Sequence, residues 1–445
     1  MLFLANLLLK GGILMKLLTE QKHELNGLTL HTIPTTKYKT NTFILKLNAP
    51  LDEKTVTMRA LLPYVLQSAT ESFPTTTQLR TYLDELYGAT LQVDLTKKGD
   101  NHDITIRIDI ANEKYLKDST PLLQKALALL GEILLKPATE EGAFLNDAME
   151  KEKRSLRQRI QAVFDDKMRY ANLRLVEEMC KEEPYSLHVN GRIDDIESIT
   201  ADKLYNYYQH VLKEDAIHLY VIGDFHEQEV KTTVEQAFNL PQRQPKKIER
   251  SITKKEITNV NEVIEKQEVK QGKLNIGYRT NVVYGDRQYF ALQVFNGIFG
   301  GFSHSKLFIN VREKASLAYY AASRVESHKG LLMVMSGIDA KNYDQAVTII
   351  KEQMEEMKNG SFTDSEIAQT KAVIHNQLLE TVDTPRGLVE VMYHNELTGK
   401  SISVDEYLKQ IDAVSKQEIV KVAENIAMDT VYFLTGKGGE NNGEN

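Results

Sequence analysis

The chain carries one structural plan twice, and that repetition restricts its fold more than any other feature. Residues 83–110, LDELYGATLQVDLTKKGDNHDITIRIDI, align without a gap with residues 311–338, VREKASLAYYAASRVESHKGLLMVMSGI, at an offset of 228. Each copy reads as helix end, strand, turn, strand. Downstream, TPLLQKALALLGEILLKP parallels YDQAVTIIKEQMEEMKNG, and a long charged helix follows both. A period this long marks a duplicated domain rather than a solenoid array. The length of 445 residues agrees, being too great for one ordinary core.

Local signals assign the element types. In YDQAVTIIKEQMEEMKNG, Val347, Ile350, Met354 and Met357 recur at helical spacing, and Gly360 stands where a left-handed residue ends a helix. Thr363 and Glu366 then form a capping box, with Phe362 and Ile367 placed as a hydrophobic staple, so another helix begins there. HDITIRIDI alternates apolar and polar residues, as does much of NTFILKLNA, and both read as half-buried strands. Hairpin-linked strands with helices grouped between them define an α+β fold: two homologous halves, each an antiparallel sheet with helices packed on one face. The expected boundaries are 15–240 for the N-terminal domain, 241–262 for a proline-bearing basic linker, 263–436 for the C-terminal domain and 437–445 for a disordered tail.

The apolar start MLFLANLLLK breaks at Lys10, about half the length a membrane helix needs, and no basic segment precedes it as in a signal peptide. Lys10-Gly11-Gly12 fits codons of a ribosome-binding sequence with Met15 at start-codon distance, so residues 1–14 are expected to be translated leader. No membrane span is expected. The formal charge of −7 is dispersed, which argues against nucleic acid as a partner. One cysteine, Cys180, permits no internal disulfide and fits a reducing, cytoplasmic setting.

Two stretches carry chemistry, ALLPYVLQSATESFPTTTQLRTYLDEL and GIFGGFSHSKLFINVREKASLAYY, and together they resemble the insulinase or pitrilysin family of zinc metallopeptidases, in its processing-peptidase branch. ALLPYVLQSATESFPTTTQLRTYLDEL matches the family's inverted zinc motif region, its tail Thr70, Pro74, Leu83 and Glu85 setting the register. That register places Ala60, Pro63 and Tyr64 where the family has first histidine, general base and second histidine. Ala60 offers a methyl group, Tyr64 a phenol and Pro63 nothing that accepts a proton, and proline should kink or shorten the helix. The third ligand position, in FLNDAMEKEKRSLRQRI, falls on Arg159, with Glu150 and Glu152 upstream. The eleven histidines include no pair three to five residues apart, so no helix offers a two-histidine face. The resemblance therefore implies a member with no metal and no cofactor of its own.

The second stretch, GIFGGFSHSKLFINVREKASLAYY, resembles the family's substrate-holding element, which makes Arg312 and Tyr319 the implied substrate contacts. A guanidinium clamps a peptide carbonyl or carboxylate, and a phenol donates to an oxygen that becomes negative during hydrolysis. Ser316 stands where the family has glycine and where the N-terminal copy has Gly88. Gly297, Gly300 and Gly301 suit close backbone approach. The implied function is that of a zinc-less subunit that pairs with a homologous zinc-bearing subunit to cleave peptides. The alternative is a catalytically silent peptide-binding or scaffold protein.

Overall fold

The computed structural model describes residues 19–25, 27–117, 120–246 and 255–436. The leader expected at 1–14, the tail at 437–445 and part of the linker, 247–254, lie outside these residues. The described residues form two compact units. One is drawn from the described residues within 1–97, 101–161 and 187–249, the other from those within 98–100, 162–186 and 250–445.

In the first unit, β1 (Gln21–Leu25), β2 (Leu28–Pro34), β3 (Thr40–Pro50), β4 (Thr90–Lys98), β5 (Asn101–Ala111) and β8 (Ala216–Gly223) make one sheet in the order β1-β2-β8-β3-β5-β4. A separate small hairpin pairs β6 (Thr139–Glu140) with β7 (Ala143–Phe144). The β2–β8 pair is parallel, whereas β1–β2, β3–β8 and β3–β5 are antiparallel. Along β5, Ile104, Ile106, Ile108 and Ile110 are buried while their neighbours Thr105, Arg107 and Asp109 are only partly so, as alternation predicts. Strand β3 differs from its expected half-buried state, because residues 41–48 are all buried. It is central, and its polar face is matched on β5: Thr42 donates to Asp109 at 2.7 Å, Lys46 to Thr105 at 3.3 Å, and Asn48 to Asp103. Paired polar groups can be buried at little cost, which the alternation alone does not reveal.

The second unit repeats the plan. Its strands β9 (Asn261–Gln267), β10 (Gly272–Arg279), β11 (Ala318–Glu326), β12 (Leu331–Ile338) and β13 (Ala427–Gly436) run in the order β11-β12-β10-β13-β9. The β9–β13 pair is parallel, and β10 pairs antiparallel with both β12 and β13. Strand for strand this order reproduces the first sheet from β4 to β2. The 228-residue offset carries β4, residues 90–98, onto β11, residues 318–326, without remainder. The fold is thus α+β with antiparallel-rich sheets and duplicated halves.

Residues 162–186 lie within the stretch expected to form the N-terminal domain, yet they pack in the second unit. The helix Lys167–Met179 buries Leu175, Val176 and Met179 in one cluster with Met333, Tyr432 and Leu434. Gly277 on β10 permits this approach, since a Cβ there would meet Met179 Sδ at 2.5 Å. Arg279 then bonds the Met179 carbonyl at 2.7 Å and the Glu183 carboxylate at 2.6 Å. No proline or glycine lies between the helices Asn146–Asp165 and Lys167–Met179, so the sequence carries no sign of this crossover. Among the described residues, no helix is long and apolar enough to cross a membrane.

Candidate functional site

The helix Val56–Leu66 carries the positions that correspond to the inverted zinc motif. Ala60, Leu61 and Leu62 are completely buried in the first core. Arg59 ties the helix down: its guanidinium meets Asp215 at 2.6 Å and donates to the carbonyls of Leu47 on β3 at 2.9 Å and His102 on β5 at 3.1 Å. Pro63 sits inside the helix, which continues through it for three residues to Leu66. There the Gln67 amide donates to the Pro63 carbonyl at 3.1 Å.

Tyr64 projects from this helix toward the helix Asn146–Asp165, and Arg159 on that helix lays its guanidinium over the Tyr64 ring at 3.6 Å. The two positions assigned by register to the second and third metal ligands are therefore neighbours in space. Burial pushes the Tyr64 hydroxyl above its ordinary range and the Arg159 guanidinium below its own, while each pulls the other toward its charged form. These residues do not fit zinc. Ala60 has no donor atom, a phenol held protonated is no imidazole, and a guanidinium is a cation with no lone pair to give. Glu152, nearly buried, is engaged by Lys151 at 3.5 Å, and Glu150 by Lys153 at 3.0 Å.

In the second unit, Arg312 lies in the π-helical segment Phe308–Lys314 and stacks over Phe308 at 4.6 Å. A second π-helical segment, Gly297–Gly301, lies upstream, and such wide turns recur at functional sites. Side chains crowd its glycines: a Cβ on Gly297 would meet Thr370 at 2.4 Å, and one on Gly300 would meet Ser323 at 2.6 Å. The helix end turns into β11 through Ser316, whose φ of +52° matches the left-handed Gly88 at +72° in the first unit. Ser316 Oγ donates to the Glu313 carbonyl at 3.3 Å. Arg312 is exposed, and Tyr319, near the start of β11, is 82% exposed.

Helical spacing does not reveal histidines that strands and distant segments bring together. His31 on β2 and His218 on β8 place Nε2 and Nδ1 3.1 Å apart, and Glu20 holds His31 Nδ1 at 2.7 Å. In the second unit, His328 and His394 stack in parallel with ring centroids 4.8 Å apart. The signal for the first pair was there: His218 falls in an evident strand, and parallel strands bring residues far apart in sequence side by side.

The model of the family described as Peptidase M16 inactive domain matches residues 198–374. A Bacillus subtilis protein described as "Probable inactive metalloprotease YmfF" is 55% identical over 96% of this chain and 100% of its own length. The crystal structure of a conserved protein from Enterococcus faecalis superposes with a TM-score of 0.88 at 35% identity, covering 94% of this chain and 99% of the other. A Pseudomonas fluorescens structure described as a peptidase M16 inactive domain covers 95% and 99% with a TM-score of 0.76, at 15% identity, a likeness of fold. With the metal positions occupied by Ala60, Pro63, Tyr64 and Arg159, the chain belongs to the insulinase-type M16 peptidase family as an inactive metallopeptidase homologue.

Proposed function

We propose that this chain is the zinc-less subunit of a peptide-cleaving heterodimer, paired with a homologous subunit that bears the zinc motif. The observation that carries this reading is the exposure of Tyr319. It is a large aromatic side chain, 82% exposed, with no partner among the described residues. It contributes nothing to the core, and it follows by seven residues an exposed arginine, Arg312, whose guanidinium face is braced by Phe308. In the heterodimer the partner supplies the metal and its activated water. Arg312 clamps the substrate backbone through its rigid fork, and Tyr319 donates a hydrogen bond to the carbonyl oxygen as negative charge develops there. The single buried cysteine supports a reducing, cytoplasmic location.

The test is steady-state peptide cleavage by the reconstituted pair, with assembly followed by size-exclusion chromatography. Tyr319→Phe removes one hydroxyl and should lower turnover by about 10²- to 10³-fold with assembly intact. Arg312→Ala should weaken substrate binding as well as turnover, and Arg312→Lys should not restore either, since a point charge lacks the bidentate fork. Full activity in both variants would discard the subunit role and leave the silent scaffold.

A further inference from the structure

The two sheets differ at one edge. In the first unit β2 lies between β8 and β1, and β1 pairs with it antiparallel from Gln21 opposite Thr32 to Leu25 opposite Leu28. The counterpart of β2 in the second unit is β9, which pairs with β13 on one side and, among the described residues, with no strand on the other. Such an edge presents a row of backbone donors and acceptors to any chain that can lie along it. The helix Lys167–Met179 meets one face of β9, where Tyr170 donates to Glu265 at 2.6 Å and Lys167 to Gln267 at 2.8 Å. The alternate residues Glu262, Ile264 and Lys266 are all exposed, Ile264 by 53%, and Glu262 accepts from Tyr343 at 2.5 Å. Val260, just before the strand, is exposed as well, and so is Phe164, whose carbonyl shares Lys167 Nζ with Gln267 at the far end. Exposed apolar surface therefore lies at both ends of this edge and at its middle.

We infer that β9 pairs with β9 of a second copy of this chain about a two-fold axis, joining two sheets into one. Two-fold symmetry makes such a pair antiparallel. With the seven residues of β9 paired in full, Ile264 falls opposite itself, Glu262 opposite Lys266 of the second copy, and Lys266 opposite Glu262 of the second copy. Residues directly opposite share a face, so the exposed face gains two pairs of opposite charge around an apolar centre. The hydrogen-bond ladder permits slips of two residues only, and neither slip keeps this match. One sets Glu262 opposite Ile264, and the other sets Glu262 opposite Glu268 and Glu265 opposite itself, which like charges disfavour. On the helix-covered face Val263 meets Glu265 of the second copy, a carboxylate already held by Tyr170, Arg174 and Tyr432. Strand β11, which bears Tyr319, is the opposite edge of the same sheet, so self-pairing neither needs nor blocks the heterodimer.

The test is sedimentation velocity on the full chain alone from about 1 to about 200 µM, a range suited to a small interface. Dimers should form as concentration rises and should weaken as salt screens the charge pairs. Glu262→Lys sets lysines opposite lysines, and Lys266→Glu sets glutamates opposite glutamates, so each variant alone should stay monomeric. Mixed in equal amounts the two should dimerise, because a lysine-bearing edge then meets a glutamate-bearing one. Under diamide, Ile264→Cys should give a disulfide-linked dimer, since directly opposed residues lie within disulfide reach. Lys266→Cys should not, as it stands four residues, about 13 Å, along the strand from its own copy. The natural Cys180 is buried and adds no link. A natural chain that stays monomeric throughout, single variants that dimerise as it does, a mixture that does not, or equal cross-linking at both cysteine positions would each overturn the inference. The concentration series on the natural chain and the Ile264→Cys link decide even if a charge variant does not fold.

Discussion

Asp215→Ala removes the only carboxylate paired with Arg59 among the described residues and leaves that guanidinium enclosed in the first core. Both side chains are at most 4% exposed, and their contact is 2.6 Å. Breaking one member of such a pair costs about 3–5 kcal/mol, because the remaining charge stays desolvated. The lower end applies here, since Arg59 keeps its bonds to the Leu47 and His102 carbonyls. A loss of about 3 kcal/mol is a large share of the 5–15 kcal/mol that holds a typical domain. With a urea m-value of about 2 kcal/mol/M, the midpoint should fall by roughly 1.5 M. The assay is urea unfolding followed by far-UV circular dichroism and tyrosine fluorescence, the chain having twenty tyrosines and no tryptophan. The paired replacement Arg59→Met with Asp215→Leu should return to within about 1 kcal/mol of the natural chain, since apolar packing substitutes well for a buried ion pair. A single variant that loses less than about 1 kcal/mol, or a double variant no better than the single, would refute the reasoning.

Pro63→Ala restores an amide that can donate to the Arg59 carbonyl inside the helix. Against a helix-interior penalty of about 3 kcal/mol, lost ring burial and a more flexible unfolded chain leave a net gain of about 1 kcal/mol, read as a raised urea midpoint. Burial, aided by Lys97, lowers the His188 imidazole to about 4. Its folded value lies below the unfolded one, so the unfolded chain binds the proton first. Stability should hold above about pH 6.5 and fall as pH drops toward 4, by up to about 3 kcal/mol, in unfolding midpoints that flatten for His188→Gln.

The parts legible in the sequence are those where local rules and tertiary context agree. The capping box of Thr363 and Glu366 forms with both reciprocal bonds, and Phe362 and Ile367 are both buried as a staple requires. Gly360 adopts the left-handed conformation at φ +69°, as the end of the preceding helix requires. Other features depend on partners far away in the chain. That β3 is buried on both faces follows from Asp103, Thr105 and Asp109, about sixty residues away. The π-helical turns around Gly297 and Arg312 have no propensity signature. At the candidate site, the replacement of ligands was readable residue by residue, whereas the stacking of Arg159 on Tyr64 needed the geometry of two helices.

The filled metal position also shapes what evolution can do next. Ala60 is completely buried in the first core, so a lone histidine there overpacks that core by about 1–3 kcal/mol. A lone glutamate in place of Arg159 loses the ring contact and sets a new carboxylate near Glu152. Each single step back toward a zinc ligand set is therefore penalised before any metal can be bound, and the gain arrives only when several changes coincide. The position works as a ratchet: surface residues can change freely for recognition, while a zinc site stays out of reach of single substitutions.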